Sequence, residues 1–147
     1  MIELPSLIIE EALRIAVELH SGQVDKAGQP YILHCLRVMS MGKNDLERIV
    51  GLLHDILEDT EATEEFLASI GFYPKIIDTI KLLTKDGTKS NKEYLEDISK
   101  NKLARIVKMN DLKDNLNLLR LNSISEKDIK RINKYIESYN YLKSFDE

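Results

Sequence analysis

The segment His54-Asp55-Ile56-Leu57-Glu58-Asp59 combines one imidazole with three carboxylates. On a continuous helix, residues four apart share a face, so His54 would lie beside Glu58 and Asp55 beside Asp59. Carboxylates crowded at the end of an apolar helix are costly unless a cation or a proton compensates their charge. A metal-binding or catalytic site is therefore one interpretation. The alternative is a solvent-exposed acidic last turn, although acids at that end oppose the helix dipole.

A His-Asp pair cannot complete a coordination shell alone, so further ligands would have to come from other segments. His34 lies in an apolar segment, where a lone histidine is more often a buried structural residue than a ligand. Asp111 lies one turn before Asn115 on a predicted helix, and the alternative to a ligand role there is a solvated helix face. His20 closes the first predicted helix, where the dipole favours a protonated imidazole, and is interpreted as structural.

The elements that must position these residues are helical almost throughout. Apolar residues recur at steps of three and four, and six glycines and three prolines leave few breaks in the chain. The helix over 44–57 is apolar on most sides and is expected at the centre. The sequence thus predicts an all-α, compact helical bundle forming a single domain over residues 1–147. Its predicted helices cover about 6–21, 31–41, 44–57 and 101–121, with others starting near Thr63, Pro74, Ser90 and Ser125.

Composition and charge limit the partners and the cellular location. The chain has 21 basic and 25 acidic residues, a net charge of −4, which argues against binding DNA or RNA. The longest segment without a charged residue spans 27–36, too short to cross a membrane, and Glu3, Glu10 and Glu11 interrupt any leader-like start. A single cysteine, Cys35, fits a reducing compartment. We therefore expect a cytoplasmic protein with a small-molecule substrate and no nucleic-acid or membrane partner.

Three blocks of sequence carry a resemblance to a known family. The first runs over 25–34, the second joins His54-Asp55 to Glu58-Asp59-Thr60, and the third is Val107-Lys108-Met109-Asn110-Asp111-Leu112-Lys113-Asp114-Asn115-Leu116. In this order and with this spacing they resemble the HD-domain superfamily. More narrowly, they are similar to the hydrolase domain of RelA/SpoT-type alarmone enzymes and to the stand-alone small alarmone hydrolases. The resemblance extends over about 20–120.

This resemblance implies a metal-dependent phosphohydrolase of the HD-domain type. The matching positions imply four metal ligands, which are His34, His54, Asp55 and Asp111. Two imidazoles and two carboxylates suit Mn²⁺ and are compatible with Fe²⁺ or Co²⁺. Two further acids match the residues that handle protons and orient the attacking water in the family, namely Glu58 and Asp59. The positions that match nucleotide contacts are Lys26 and Asn115, and more weakly Tyr31.

The reaction implied is hydrolysis of the 3′-pyrophosphate of (p)ppGpp, the guanosine tetra- or pentaphosphate alarmone, by a Mn²⁺-bound water. No synthetase domain fits in the rest of the chain, so a hydrolase-only protein of the stringent response is implied. Asp25 departs from the pattern, since an acid replaces a basic residue and would repel a polyanion. Two alternatives therefore stay open: an HD phosphohydrolase of another nucleotide or phosphoester, and a non-catalytic nucleotide-binding module. The oligomeric state is also open, and a homo-oligomer is compatible with the sequence.

Overall fold

The structure, a computed structural model, describes residues 5–146, with side chains described from Ile8 onward. Over that range it contains nine α-helices, one 3₁₀ turn at Leu118–Arg120 and no β-strand beyond an isolated bridge. The prediction of an all-α fold is confirmed. None of the helices within the described range combines the length and apolar composition of a membrane span. The helices are α1 (Pro5–Leu19), α2 (Ile32–Met41), α3 (Asp45–Leu53), α4 (Ile56–Asp59), α5 (Glu64–Ile70), α6 (Pro74–Leu83), α7 (Asn91–Ser99), α8 (Lys102–Asn115) and α9 (Glu126–Lys143).

Side-chain caps start five of these helices where the residue types predict them. The side chains of Asn44, Thr63 and Asn101 each accept a backbone N–H from the first turn that follows. Ser90 and Ser125 each form a reciprocal capping box with the acid three residues later. The helix starts near the candidate site therefore follow from local sequence.

Helix α3 lies at the centre of the fold, as its apolar composition predicts. It packs against α1, α2, α6 and α8, and its last five residues, 49–53, are all buried. Gly51 lets α2 approach closely, because a Cβ there would stand 3.2 Å from the backbone of Met39. This packing brings the carboxyl end of α3 against α2 and α8, which carry the other candidate ligands.

Two predicted helices are interrupted, and both interruptions lie at the candidate site. The helix predicted over 44–57 ends at Leu53, because the backbone leaves helical geometry at Asp55, with φ −104° and ψ 3°. The Gly51 carbonyl oxygen is there bonded by the His54 ring nitrogen Nδ1 at 2.6 Å. The helix predicted over 101–121 ends at Asn115, because the backbone leaves helical geometry at Leu116 and Asn117, with ψ of 1° and 83°. Arg120 then donates a hydrogen bond to the Asp114 carbonyl oxygen at 3.2 Å. The predictions of continuous helices were wrong at these two points.

Candidate metal centre and active site

Four side chains that are distant in the sequence converge on one point, namely His34 of α2, His54 and Asp55 between α3 and α4, and Asp111 of α8. The His34 Nε2 atom lies 3.3 Å from Nε2 of His54 and 3.0 Å from Oδ1 of Asp111. The His54 Nε2 atom lies 2.9 Å from Oδ2 of Asp55. Ligand atoms bonded at about 2.1 Å to one divalent ion stand about 3 to 3.5 Å apart. The donor set and its spacing therefore fit a single divalent ion.

Both imidazoles direct Nε2 toward this cluster because Nδ1 is held elsewhere. The Nδ1 of His54 bonds the Gly51 carbonyl oxygen, and the Nδ1 of His34 lies 2.6 Å from Oδ2 of Asp114. A hydrogen bond donated by Nδ1 leaves the lone pair of Nε2 available to a metal. Burial alone would raise the pKa of Asp114, but hydrogen bonds from His34 and Arg37 outweigh it and lower the pKa to about 2.

The cluster shifts the pKa values of its own members in opposite directions. Burial disfavours the charged form of His54, but the charges of Asp55 and Asp111 outweigh it and raise its pKa well above the ordinary value. Burial also disfavours charge on Asp111, but Lys108 and His54 outweigh it and hold its pKa well below the ordinary value. The buried carboxylates thus favour a positive charge among them, which protons or a divalent ion can supply.

Asp111 is held in place by two neighbours from its own helix. The Lys108 Nζ atom lies 2.9 Å from Oδ2 of Asp111, and the Asn115 side-chain amide donates to Oδ1 at 3.0 Å. Asn115, predicted to contact a nucleotide, is therefore placed directly beside a candidate ligand. The Lys108 ammonium also lies 5.6 Å from the centre of the Tyr94 ring, so a cation–π contact helps to hold it.

A second group of acids adjoins the first and shares Asp55 with it. Carboxylate oxygens of Asp55, Glu58 and Asp59 come within 4.8 Å of one another. Glu58 accepts a hydrogen bond from the backbone N–H of Lys85 at 2.7 Å, which ties α4 to the loop after α6. Partial burial and the charges of Asp55 and Glu58 raise the pKa of Asp59 to about 6. A carboxyl group with such a pKa can exchange a proton near neutral pH.

A cavity of about 380 Å³ opens beside His34 and contains the three predicted nucleotide contacts, Lys26, Tyr31 and Asn115. The Tyr31 hydroxyl donates a hydrogen bond to Asp55, and its ring lies 5.4 Å from that of His34, centre to centre. Its other neighbour is His20, with ring centres 5.1 Å apart, so His20 supports Tyr31 and is outside the four-ligand cluster. A larger cavity, of about 620 Å³ along the loop between α6 and α7, includes none of the four candidate ligands.

The cavity of about 380 Å³ beside His34 is also lined by residues that were not predicted from the sequence, among them Arg120, Arg131 and Tyr135. Arg131 and Tyr135 lie one turn apart on α9, a helix whose sequence pattern shows only an apolar face and a polar face. Nothing in that pattern separates a residue that faces a cavity from one that faces solvent. Their position follows from the packing of α9 against α8.

Asp25 has its charge compensated within the fold. Its Oδ1 atom accepts the backbone N–H groups of Ala27 and Gln29 at 2.9 and 3.0 Å, and its Oδ2 atom accepts from Arg120 at 3.0 Å. The side chain is 11% exposed. Asp25 therefore organises the loop that carries Lys26, and the repulsion toward a polyanion expected from the sequence is reduced by the partner Arg120.

Comparison with known proteins relates this chain to alarmone enzymes. No family model matches it. Over 67 residues it is 42% identical to a GTP pyrophosphokinase of Myxococcus xanthus, a match covering 43% of this chain and 9% of that protein. Over 123 residues it is 32% identical to a guanosine-3′,5′-bis(diphosphate) 3′-pyrophosphohydrolase of Aquifex aeolicus, a match covering 76% of this chain and 18% of that protein. The chain thus spans less than a fifth of either relative.

A solved structure shows that the similarity includes the fold. It is that of a metazoan orthologue of SpoT that hydrolyses ppGpp, and it superposes with a TM-score of 0.78 at 22% identity over 96% of this chain and 88% of that one. Over part of its length, the chain is similar to RelA/SpoT-type enzymes. These matches confirm the predicted resemblance, and the chain has the predicted helical fold. Its four candidate ligands lie on the elements that the three sequence blocks form.

Proposed function

We propose that this protein is a Mn²⁺-dependent guanosine-3′,5′-bis(diphosphate) 3′-pyrophosphohydrolase, acting as a single HD-type domain over residues 1–147. The observation that carries this proposal is the convergence of His34, His54, Asp55 and Asp111 at ligand spacing. The name of the Aquifex aeolicus relative and the activity of the metazoan SpoT orthologue support the substrate. The cavity of about 380 Å³ beside His34, lined by the predicted nucleotide contacts and called the nucleotide cavity below, also supports the substrate.

The proposed ion would be held by the two Nε2 atoms and the two carboxylates of the four-residue cluster. A mixed nitrogen and oxygen set without a thiolate favours Mn²⁺, with Fe²⁺ or Co²⁺ as related choices. When bound, a divalent ion lowers the pKa of a coordinated water and withdraws charge from phosphate oxygens. The acids of the second group, Glu58 and Asp59, stand beside that position.

Hydrolysis requires the oxygen of water to bond the phosphorus next to the ribose 3′ oxygen while the bond between that phosphorus and the 3′ oxygen breaks. Glu58 or Asp59 takes the proton from the attacking water, and a proton is returned to the 3′ oxygen that leaves. The pKa of Asp59, about 6, suits it to both halves of this exchange near neutral pH. The products are guanosine diphosphate and pyrophosphate, so atoms and charge balance without a further reactant.

Side chains around the cavity would bind the nucleotide. Lys26 brings positive charge to the cavity, which favours phosphate groups, and Arg131 adds a guanidinium that is paired with Asp128 at 2.8 Å. Tyr31 and Tyr135 bring aromatic rings, which can pack against a base or a ribose. Charged and aromatic groups are thus combined beside the metal ligand His34, as a nucleotide substrate requires.

The test is incubation of the purified protein with Mn²⁺ and guanosine tetraphosphate, with products separated by anion-exchange chromatography. We expect equal amounts of guanosine diphosphate and pyrophosphate, and none with the Asp111→Ala variant. Wild-type product no greater than that of Asp111→Ala would refute this substrate. Turnover of a different nucleotide in a substrate panel would support the phosphohydrolase alternative, whereas binding of the alarmone without turnover would select the non-catalytic module.

A further inference from the structure

Asp114 is a buried acid that none of the proposed chemical steps uses. Its side chain is 3% exposed, and its Oδ2 atom lies 2.6 Å from Nδ1 of His34. Arg37 of α2 binds the same carboxylate through two nitrogens, with Nε 2.6 Å from Oδ1 and Nη2 3.1 Å from Oδ2. A buried carboxylate with these partners is ionised and fixed in orientation.

A second arginine joins this carboxylate to the loop that borders the nucleotide cavity. Arg120 donates to the Asp114 backbone carbonyl oxygen at 3.2 Å, and its Nη2 atom lies 3.8 Å from Oδ2 of Asp114. The same guanidinium donates to Asp25 at 3.0 Å. Hydrogen bonds and ion pairs therefore connect the cavity loop to the candidate metal centre, through Asp25, Arg120, Asp114 and His34.

We propose, on the basis of the proposed metal-dependent function, that Asp114 is a positioning residue of the metal centre. Its carboxylate accepts a hydrogen bond from the Nδ1–H group of His34 and so keeps Nε2 directed at Asp111 and His54. A carboxylate in this place orients a ligand imidazole and makes it a stronger donor to the metal. Arg37 and Arg120 hold the carboxylate where His34 needs it. From sequence alone, Asp114 is indistinguishable from a solvated acid on the face of α8.

The test measures Mn²⁺ affinity in the whole chain by titration followed with electron paramagnetic resonance, together with the d–d absorption of the Co²⁺ form. Replacing Asp114 by Ala removes the acceptor, whereas Asp114→Asn keeps an oxygen acceptor and the volume. We expect Asp114→Ala to weaken Mn²⁺ binding by about 100-fold and Asp114→Asn by about tenfold. The Co²⁺ spectrum should change in both variants, and more in Asp114→Ala, because the imidazole ligand is held less firmly in one orientation.

Two control variants separate this role from a general loss of stability or charge. Leu67→Ala opens a cavity on the buried side of α5, a helix that carries none of the four candidate ligands, and should leave Mn²⁺ affinity and the Co²⁺ spectrum unchanged. Asp45→Asn removes an exposed Asp–Arg ion pair and should also leave both unchanged. If Asp114→Ala does not fold, Asp114→Asn carries the test through a measurable loss of affinity and a shifted Co²⁺ spectrum.

The inference is overturned if the folded Asp114 variants bind Mn²⁺ within threefold of wild type with an unchanged Co²⁺ spectrum. It is also overturned if Leu67→Ala weakens binding as much as Asp114→Ala. Failure of the proposed reaction gives a different pattern: wild type binds Mn²⁺ but releases no pyrophosphate from guanosine tetraphosphate, while the order of affinities among the variants still tests Asp114.

Discussion

Asp25 offers a direct test of how the cavity loop is held. From the sequence alone, a basic residue at this position would be expected to improve binding of a polyanionic substrate. In the structure the Asp25 carboxylate instead accepts two backbone N–H groups and the guanidinium of Arg120. We therefore predict that Asp25→Lys destabilises the protein and does not lower KM.

The expected loss of stability follows from the hydrogen bonds and the ion pair that Asp25→Lys would remove. Removing one partner of a buried ion pair costs about 3–5 kcal/mol, and a hydrogen bond to a charged group contributes about 1.5–3 kcal/mol. Asp25 and Arg120 are 11% and 25% exposed, so water screens part of this interaction. We expect a decrease of about 3 kcal/mol in the free energy of unfolding. For a chain of this length, that corresponds to a fall in Tm of roughly 10 °C.

The assay is urea denaturation followed by circular dichroism, with hydrolysis kinetics measured on the same preparations. The matched variant Asp25→Asn keeps an oxygen for the two backbone N–H groups and loses only the charge, so it should lose about 1 kcal/mol. An Asp25→Lys protein as stable as wild type, with a KM lowered tenfold, would refute the reasoning. It would mean that position 25 faces the substrate phosphates rather than the loop.

Three further predictions concern the site. Glu58→Gln keeps an acceptor for the Lys85 backbone N–H and should retain Mn²⁺ while kcat falls by about 10²- to 10⁴-fold; loss of Mn²⁺ in titrations would instead make Glu58 a ligand. Because the pKa values of His34 and His54 are raised, protons on these rings stabilise the metal-free fold at low pH and compete with the metal. That stabilisation is lost as pH rises, so Mn²⁺ should raise Tm more at pH 8 than at pH 6, and equal shifts would contradict this competition. Lys26→Ala should raise KM by about tenfold with little change in Tm, and an unchanged KM would remove Lys26 from the phosphate contacts.

Local features of the fold were predictable from sequence because they depend on neighbouring residues. Asn44, Thr63 and Ser90 begin helices through hydrogen bonds within four residues, and the apolar composition of α3 places it at the centre. The break at His54 and Asp55 was not predictable, since the periodicity continues through it. At this break the backbone of Asp55 leaves helical geometry, and the His54 ring nitrogen Nδ1 bonds the Gly51 carbonyl oxygen.

The candidate site was predictable only in part, for the same physical reason. The four proposed ligands were identified from residue types and from the family resemblance, whereas their convergence depends on how α2, α3 and α8 pack. The partner of His34 was missed because Asp114 lies 80 residues away in the sequence. Arg131 and Tyr135 were missed because only the packing of α9 brings them to the cavity. Contacts between distant segments leave no local pattern to read.

The central claim is that His34, His54, Asp55 and Asp111 hold one divalent ion. The most direct measurement is an anomalous difference map from crystals grown with Mn²⁺, collected on both sides of the manganese absorption edge. We predict one strong peak per chain at about 2.0–2.3 Å from a donor atom of each of the four side chains. A peak only beside Glu58 and Asp59, or no ordered manganese at saturating concentration, would contradict it.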